Sequence, residues 1–172
     1  MIYLLLMSQF VTAGVFAVSA YGKVREQSGF ARSLADFHVP PRLRVPVAAA
    51  MTAAEIAVVP LTVVPATAVA GLALGAVMLF GFGAVIGLTL RRGRRPRCRC
   101  FGAVGAPLRG AHAVRNIVLA AIASAGAVVA ATYQAAAPPI GSFVVGGVLA
   151  AVLLAAVTNF DDLVEVVAPR GG

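Results

Sequence analysis

Long apolar runs are the feature that most restricts how this sequence can fold. Residues 2–20 contain no charged side chain, and four more runs of similar length carry at most one each. A helix needs about 20 mostly apolar residues to cross the ~30 Å hydrocarbon layer of a bilayer. The sequence therefore predicts five membrane-spanning helices, at about 2–20, 45–64, 66–90, 113–133 and 140–160.

The composition excludes an ordinary soluble protein. The chain is 60% hydrophobic and 12% charged, whereas soluble domains are about 45–50% apolar and about 25% charged. A soluble fold of 172 residues could not hide so much apolar surface from water. We therefore predict an all-α, polytopic bundle that forms one integral membrane domain over residues 1–172, with a four-helix core and a fifth C-terminal span.

The basic residues indicate how the chain is oriented. Five Lys and Arg residues lie in the connector 21–44 and seven in the loop 91–109, whereas the N-terminus and the other two connectors hold none. Positive charge collects in cytoplasmic loops, so we expect the N-terminus outside and both basic loops in the cytoplasm. The net charge of +8 then reflects topology and not nucleic-acid binding, and the chain has no Trp on which bases could stack.

The first connector contains an apolar stripe. Phe30, Leu34 and Phe37 recur at the spacing of one helix face. This pattern is typical of a short helix lying in the membrane interface. Pro40-Pro41 is expected to end it.

Glycines and a proline indicate how the second and third spans are shaped. Gly71 with Gly75, and Gly83 with Gly87, form G-x-x-x-G pairs that allow helices to approach closely. Pro60 is expected to kink the second span. Because only Pro65 and its neighbours separate the two spans, they should form a tight antiparallel hairpin.

The second basic loop carries both cysteines, Cys98 and Cys100. Arg97 and Arg99 flank Cys98, and nearby positive charge favours the reactive thiolate. A Cys-x-Cys disulfide closes a small, strained ring, and strained disulfides exchange readily. The pattern indicates a redox pair, while metal ligation and inert structural cysteines stay open.

The metal alternative needs histidines. His112 follows Cys100 by twelve residues, and His38 lies in the other basic connector. Together with Cys98 and Cys100 they would form a Cys₂His₂ set, which zinc accepts, although the spacing matches no standard finger.

Glu55 lies deep in the second predicted span. A charge at that depth is costly, so its side chain should face the bundle interior, protonated or paired. Lys23 and Arg115 are the candidate partners, and we favour Arg115. Asn116 is expected to hydrogen-bond between helices. The group is either a structural clamp or part of a functional site.

The order of these features resembles a known family. Tyr21-Gly-Lys23 ends the first span, Glu55 lies in the second, Cys-x-Cys-Phe-Gly covers 98–102, and His-x-x-Arg-Asn covers 112–116. Over about residues 5–135 the chain resembles the methylamine utilisation protein MauE family, related to the DoxX-like and vitamin K epoxide reductase-like four-helix membrane proteins.

The resemblance implies a multi-pass protein of the bacterial inner membrane. Such proteins act with a thioredoxin-like partner in maturing or stabilising the disulfide-rich small subunit of methylamine dehydrogenase. By position, Cys98 and Cys100 would be the exchanging thiols, and Glu55, Arg115 and Asn116 would hold the bundle around them. No cofactor motif is evident, and quinone and metal both stay open. The expected partners are membrane lipid and the thioredoxin-like protein.

Overall fold

The computed structural model describes residues 1–93, 109–132 and 140–159. Every regular element within these ranges is helical, and 3₁₀ turns cover Leu34–Phe37 and Pro65–Thr67. The cysteine pair, Cys98 and Cys100, lies outside the described residues, as do Arg97 and Arg99. The helices are α1 (Ile2–Arg25), α2 (Gln27–Ser33), α3 (Pro41–Val63), α4 (Ala68–Arg91), α5 (Gly110–Thr132) and α6 (Ile140–Thr158).

Four helices are long and apolar enough to cross a membrane, namely α1, α3, α4 with its preceding turn, and α5. The fifth predicted span is the shorter apolar helix α6. These findings confirm the predicted all-α bundle with a four-helix core. The helices outrun the predicted spans at the basic end, where α1 continues to Arg25 and α3 begins at Pro41.

Helix α1 lies at the centre of the bundle and touches α3, α4, α5 and α6. Thr12 of α1 faces Gly75 of α4, and Ser8 faces Gly126 of α5. Around α1 the core is apolar and closely packed, and its buried members include Val11, Val15, Phe16, Val58, Leu79 and Leu119.

Glycines permit the close approaches between α4 and its neighbours. A Cβ on Gly71 would overlap the Thr62 backbone nitrogen, and one on Gly75 would lie 2.9 Å from Thr12 Cγ2. The first G-x-x-x-G pair therefore packs closely, as predicted. Of the second pair, Gly83 approaches α5 at Ile117, whereas nothing lies within 4 Å of a Cβ on Gly87.

The connector helix α2 packs on the protein. Phe30 and Leu34 are buried in a cluster with Ala48 of α3. Two members of the predicted apolar stripe therefore contact α3, where the small Ala48 side chain leaves room for them. The location of this segment in the membrane interface stays a prediction. His38, with φ of 64°, follows the 3₁₀ turn and directs the chain towards Pro40 and α3.

The turn between α3 and α4 satisfies its own polar groups. The last carbonyls of a helix lack intrahelical partners, and a bilayer offers no water to replace them. Gln9 Nε2 of α1 donates to the Thr62 carbonyl at 3.0 Å, and Thr67 Oγ1 donates to the Leu61 carbonyl at 2.9 Å. The predicted tight hairpin thus ends without exposed helix carbonyls at these two positions.

The packing of α3 on α4 predicts a large difference between two glycines of α4. We expect Gly71→Ala to destabilise the protein by about 1–3 kcal/mol, because the new methyl group would overlap backbone atoms. Gly81→Ala, with nothing within 4 Å of the added Cβ, is the matched control and should be neutral or stabilising. Thermal unfolding in detergent measures both, and equal effects would contradict the packing described.

Candidate functional site

A buried ion pair joins α1 to α3. Lys23 Nζ lies 2.6 Å from Glu55 Oε1 and 2.8 Å from Oε2. The side chain of Lys23 is 2% exposed and that of Glu55 is 0% exposed. Both charges of this salt bridge lie inside the bundle.

Neighbouring groups complete the surroundings of the ammonium. Ser19, one helical turn before Lys23, accepts a hydrogen bond from Nζ at 2.7 Å and also hydrogen-bonds the Glu55 carboxylate. The ring centroids of Phe30 and Phe82 lie 5.1 Å and 5.8 Å from Nζ, within the range of cation–π attraction. Ser19 and Phe82 were not predicted, although a serine four residues before a buried lysine was a usable signal.

All hydrogen-bond donors of the Lys23 ammonium are used within the protein. An ammonium has three N–H donors, and those of Lys23 meet Ser19 Oγ and the two oxygens of Glu55. Burying two charges is tolerated only when geometry and extra hydrogen bonds are good, and this site meets both conditions. The arrangement fixes α1, α2, α3 and α4 against one another around one point.

Our prediction that Glu55 pairs with Arg115 was wrong. Glu55 pairs with Lys23, whereas Arg115 Nη1 donates to the Val157 carbonyl of α6 at 3.3 Å. Arg115 is nevertheless buried, with 9% of its surface exposed. Both basic residues are buried, but α5 directs Arg115 towards α6 and not towards α3.

His112 and Asn116 organise the start of α5. His112 Nδ1 lies 3.0 Å from the Arg109 backbone nitrogen, which closes the first turn of the helix in the manner of a capping box. Asn116 Nδ2 donates to the His112 carbonyl at 2.8 Å. This bond lies within α5, whereas we had expected one between helices. Asn116 Oδ1 is buried without a hydrogen-bond partner among the described residues.

The metal alternative gains no support from the histidines. His38 is exposed after the 3₁₀ turn, and His112 is a buried residue of α5 whose Nδ1 contacts Arg109. Within the described ranges no group of three His, Cys, Asp or Glu side chains could hold a metal ion. The two cysteines lie outside those ranges, so the Cys₂His₂ set itself stays a prediction.

The helices that flank the cysteine loop are packed together. Gly83 of α4 lies against Ile117 and the Ala113 carbonyl of α5. This antiparallel register brings the end of α4 at Arg91 and the start of α5 at Gly110 to one end of the bundle. Lys23 lies in the last turn of α1 on the same side, because α1 and α4 run parallel with Thr12 beside Gly75.

Four packed helices that are long and apolar enough to cross a membrane, two of them joined by a buried ion pair, indicate a multi-pass helical membrane protein. Its family follows from comparison of the sequence with family models, in which residues 1–131 match the methylamine utilisation protein MauE. The match covers most of the chain, so this protein belongs to the MauE family, as the motifs indicated. No curated protein and no solved structure matches it significantly.

The buried pair predicts strongly non-additive mutational effects. Lys23→Met leaves Glu55 charged without a partner, and Glu55→Met does the same to Lys23. Each should lower the free energy of unfolding by about 3–5 kcal/mol, whereas the double variant, which removes both charges, should recover most of that loss. Unfolding of the four proteins in detergent completes the cycle, and additive single effects would argue against a coupled pair.

Proposed function

We propose that this MauE-family protein works in methylamine utilisation as a thiol–disulfide exchange component of the bacterial inner membrane. Cys98 and Cys100 form the exchanging pair, and a thioredoxin-like protein is the partner. Through that partner the pair serves the maturation of disulfide-containing envelope proteins. Membership of the MauE family supports the setting, and the arginines beside the cysteines support thiolate formation.

The exchange is balanced between the two proteins. A thiolate of the reduced partner attacks the Cys98–Cys100 disulfide, which forms a mixed disulfide and releases one cysteine of the pair as a thiolate. The partner's second thiolate then attacks the mixed disulfide. The partner leaves as a disulfide, and Cys98 and Cys100 gain two electrons and two protons. The reverse reaction oxidises the pair and reduces the partner.

The observation that carries this proposal is the position of the loop's two anchors. Arg91 and Gly110 end two closely packed helices at one end of the bundle. The proposal takes the sequence between these two anchors to be where the second protein binds, because exchange requires an accessible thiol. By contrast, the Lys23–Glu55 site is buried and its ammonium donors are all occupied, so it offers an incoming disulfide no reactive group. It positions the helices, and Arg115 and Asn116 do the same at the start of α5.

One observation favours a second candidate, a non-catalytic assembly or scaffold protein. The best-defined polar site of the described residues uses all three donors of Lys23 internally, as a structural clamp does. In that case the basic loop would dock a partner or anionic lipid. The third candidate is a membrane protein that handles a metal or solute through the two cysteines and His112.

Trapping tests the exchange. In Cys100→Ser, the remaining thiol of Cys98 cannot be resolved by its neighbour, so a mixed disulfide with the partner should accumulate on non-reducing gels. Cys98→Ser/Cys100→Ser is the control and should show none. The proposal fails if Cys100→Ser yields no adduct in cells and methylamine-dependent growth survives loss of both cysteines, since that result favours the scaffold.

Orientation decides the direction of electron flow. The positive-inside count predicts cysteines at the cytoplasmic face, whereas envelope disulfides mature on the opposite side. We expect a membrane-impermeant thiol reagent to label Cys98 and Cys100 in inverted vesicles but not in intact cells. Labelling in intact cells would reverse the orientation and place the exchange directly at the outer face. Cys98→Ser/Cys100→Ser measures background labelling in both preparations.

A further inference from the structure

Helix α6 lies beyond the part of the chain that matches the family, which ends at residue 131. It packs along α1, with Gly146 against Leu6 and Leu154 against Gly14. From the first contact to the second, the position on α6 and the position on α1 both increase by eight residues. Helix α6 therefore runs parallel to α1 and stays in contact with it over more than two turns. A helix that touched the bundle only at one end would not maintain this register.

The outer face of α6 has the character of a surface that contacts lipid. One stripe faces the protein through Ser142, Gly146, Ala150 and Val157, all buried. A helix lying in the interface would expose a polar, charged face. The exposed large side chains of α6 are instead all apolar, namely Phe143, Val144, Val145, Val148, Leu149 and Val152.

The end of α6 is tied to the start of α5. The Val157 carbonyl is one of the last four of the helix, which have no intrahelical partner, and it accepts a hydrogen bond from Arg115 Nη1 at 3.3 Å. A cation is also favoured at this negative end of a helix. Arg115 belongs to the His-x-x-Arg-Asn segment inside the family match, so the core and the added helix meet at a polar contact.

We propose that α6 is a fifth transmembrane helix, which occupies the face formed by α1 and the start of α5 and covers the buried Arg115. With 19 residues it is about 28 Å long, close to the ~30 Å hydrocarbon thickness. Running parallel to α1, it carries the chain from the side where α1 begins to the side where α1 ends. The proposal predicts that the N-terminus and the C-terminus lie on opposite sides of the membrane.

Cross-linking tests the packing of α6 in the membrane. In a Cys98→Ser/Cys100→Ser background, Leu6→Cys combined with Gly146→Cys should form a disulfide on mild oxidation, because a Cβ on Gly146 would lie 3.0 Å from Leu6 Cβ. Leu6→Cys with Gly147→Cys is the matched control, since Gly147 has nothing within 4 Å of an added Cβ. A cross-link in the first protein alone supports the packing, and any other result overturns it.

Terminal reporters test the crossing itself. A short epitope tag on each terminus of the full chain is exposed to protease in intact spheroplasts and in inverted vesicles. If α6 is a fifth span, one tag should be cleaved only in intact spheroplasts and the other only in inverted vesicles. Cleavage of both tags in the same preparation overturns the proposal. Neither experiment uses the native cysteines, so each outcome is independent of the proposed thiol exchange.

Discussion

The ion pair between Lys23 and Glu55 is the contact on which the arrangement of the core depends. A single charge inside an apolar bundle is strongly unfavourable, so each group requires the other. Because Lys23 lies in the last turn of α1 and Glu55 lies within α3, satisfying both charges sets the relative height and rotation of these helices. Phe30 and Phe82 face the same ammonium, which brings α2 and α4 under the same constraint.

The same requirement governs the helix ends. In a bilayer, a free carbonyl or N–H group has no water to bind, and this chain meets the need with single side chains. Gln9 binds the end of α3, and Arg115 binds the end of α6. His112 contacts the backbone at the start of α5. Each of these residues is a polar exception in an apolar run, and each joins or closes a helix end. Polar side chains inside the apolar runs therefore do not by themselves indicate chemistry.

The spans were predictable because a membrane-spanning helix requires only a sufficient number of consecutive apolar residues, which can be read directly along the sequence. The partner of Glu55 was not. Lys23 and Arg115 lie at the same end of the bundle, and the choice between them depends on helix rotation, which is set by contacts such as Gly75 against Thr12. Treating Lys23 as the boundary of the first span concealed that α1 continues to Arg25. Ser19, four residues earlier on the same face, was the available evidence that Lys23 is buried.

The buried Lys23–Glu55 pair has no unused donor and almost no exposed surface, which restricts where chemistry can occur. With all its donors occupied and almost no exposed surface, the Lys23 ammonium can neither bind a substrate nor release a proton to one without disrupting the bundle. We therefore expect reactivity towards an external protein at an end of the bundle, where the chain leaves the apolar layer. In the sequence, residues 91–109, which join α4 to α5, contain both cysteines and seven of the fourteen basic residues. This division of the molecule is the physical reason why thiol exchange, and not chemistry at the buried pair, is the function we propose.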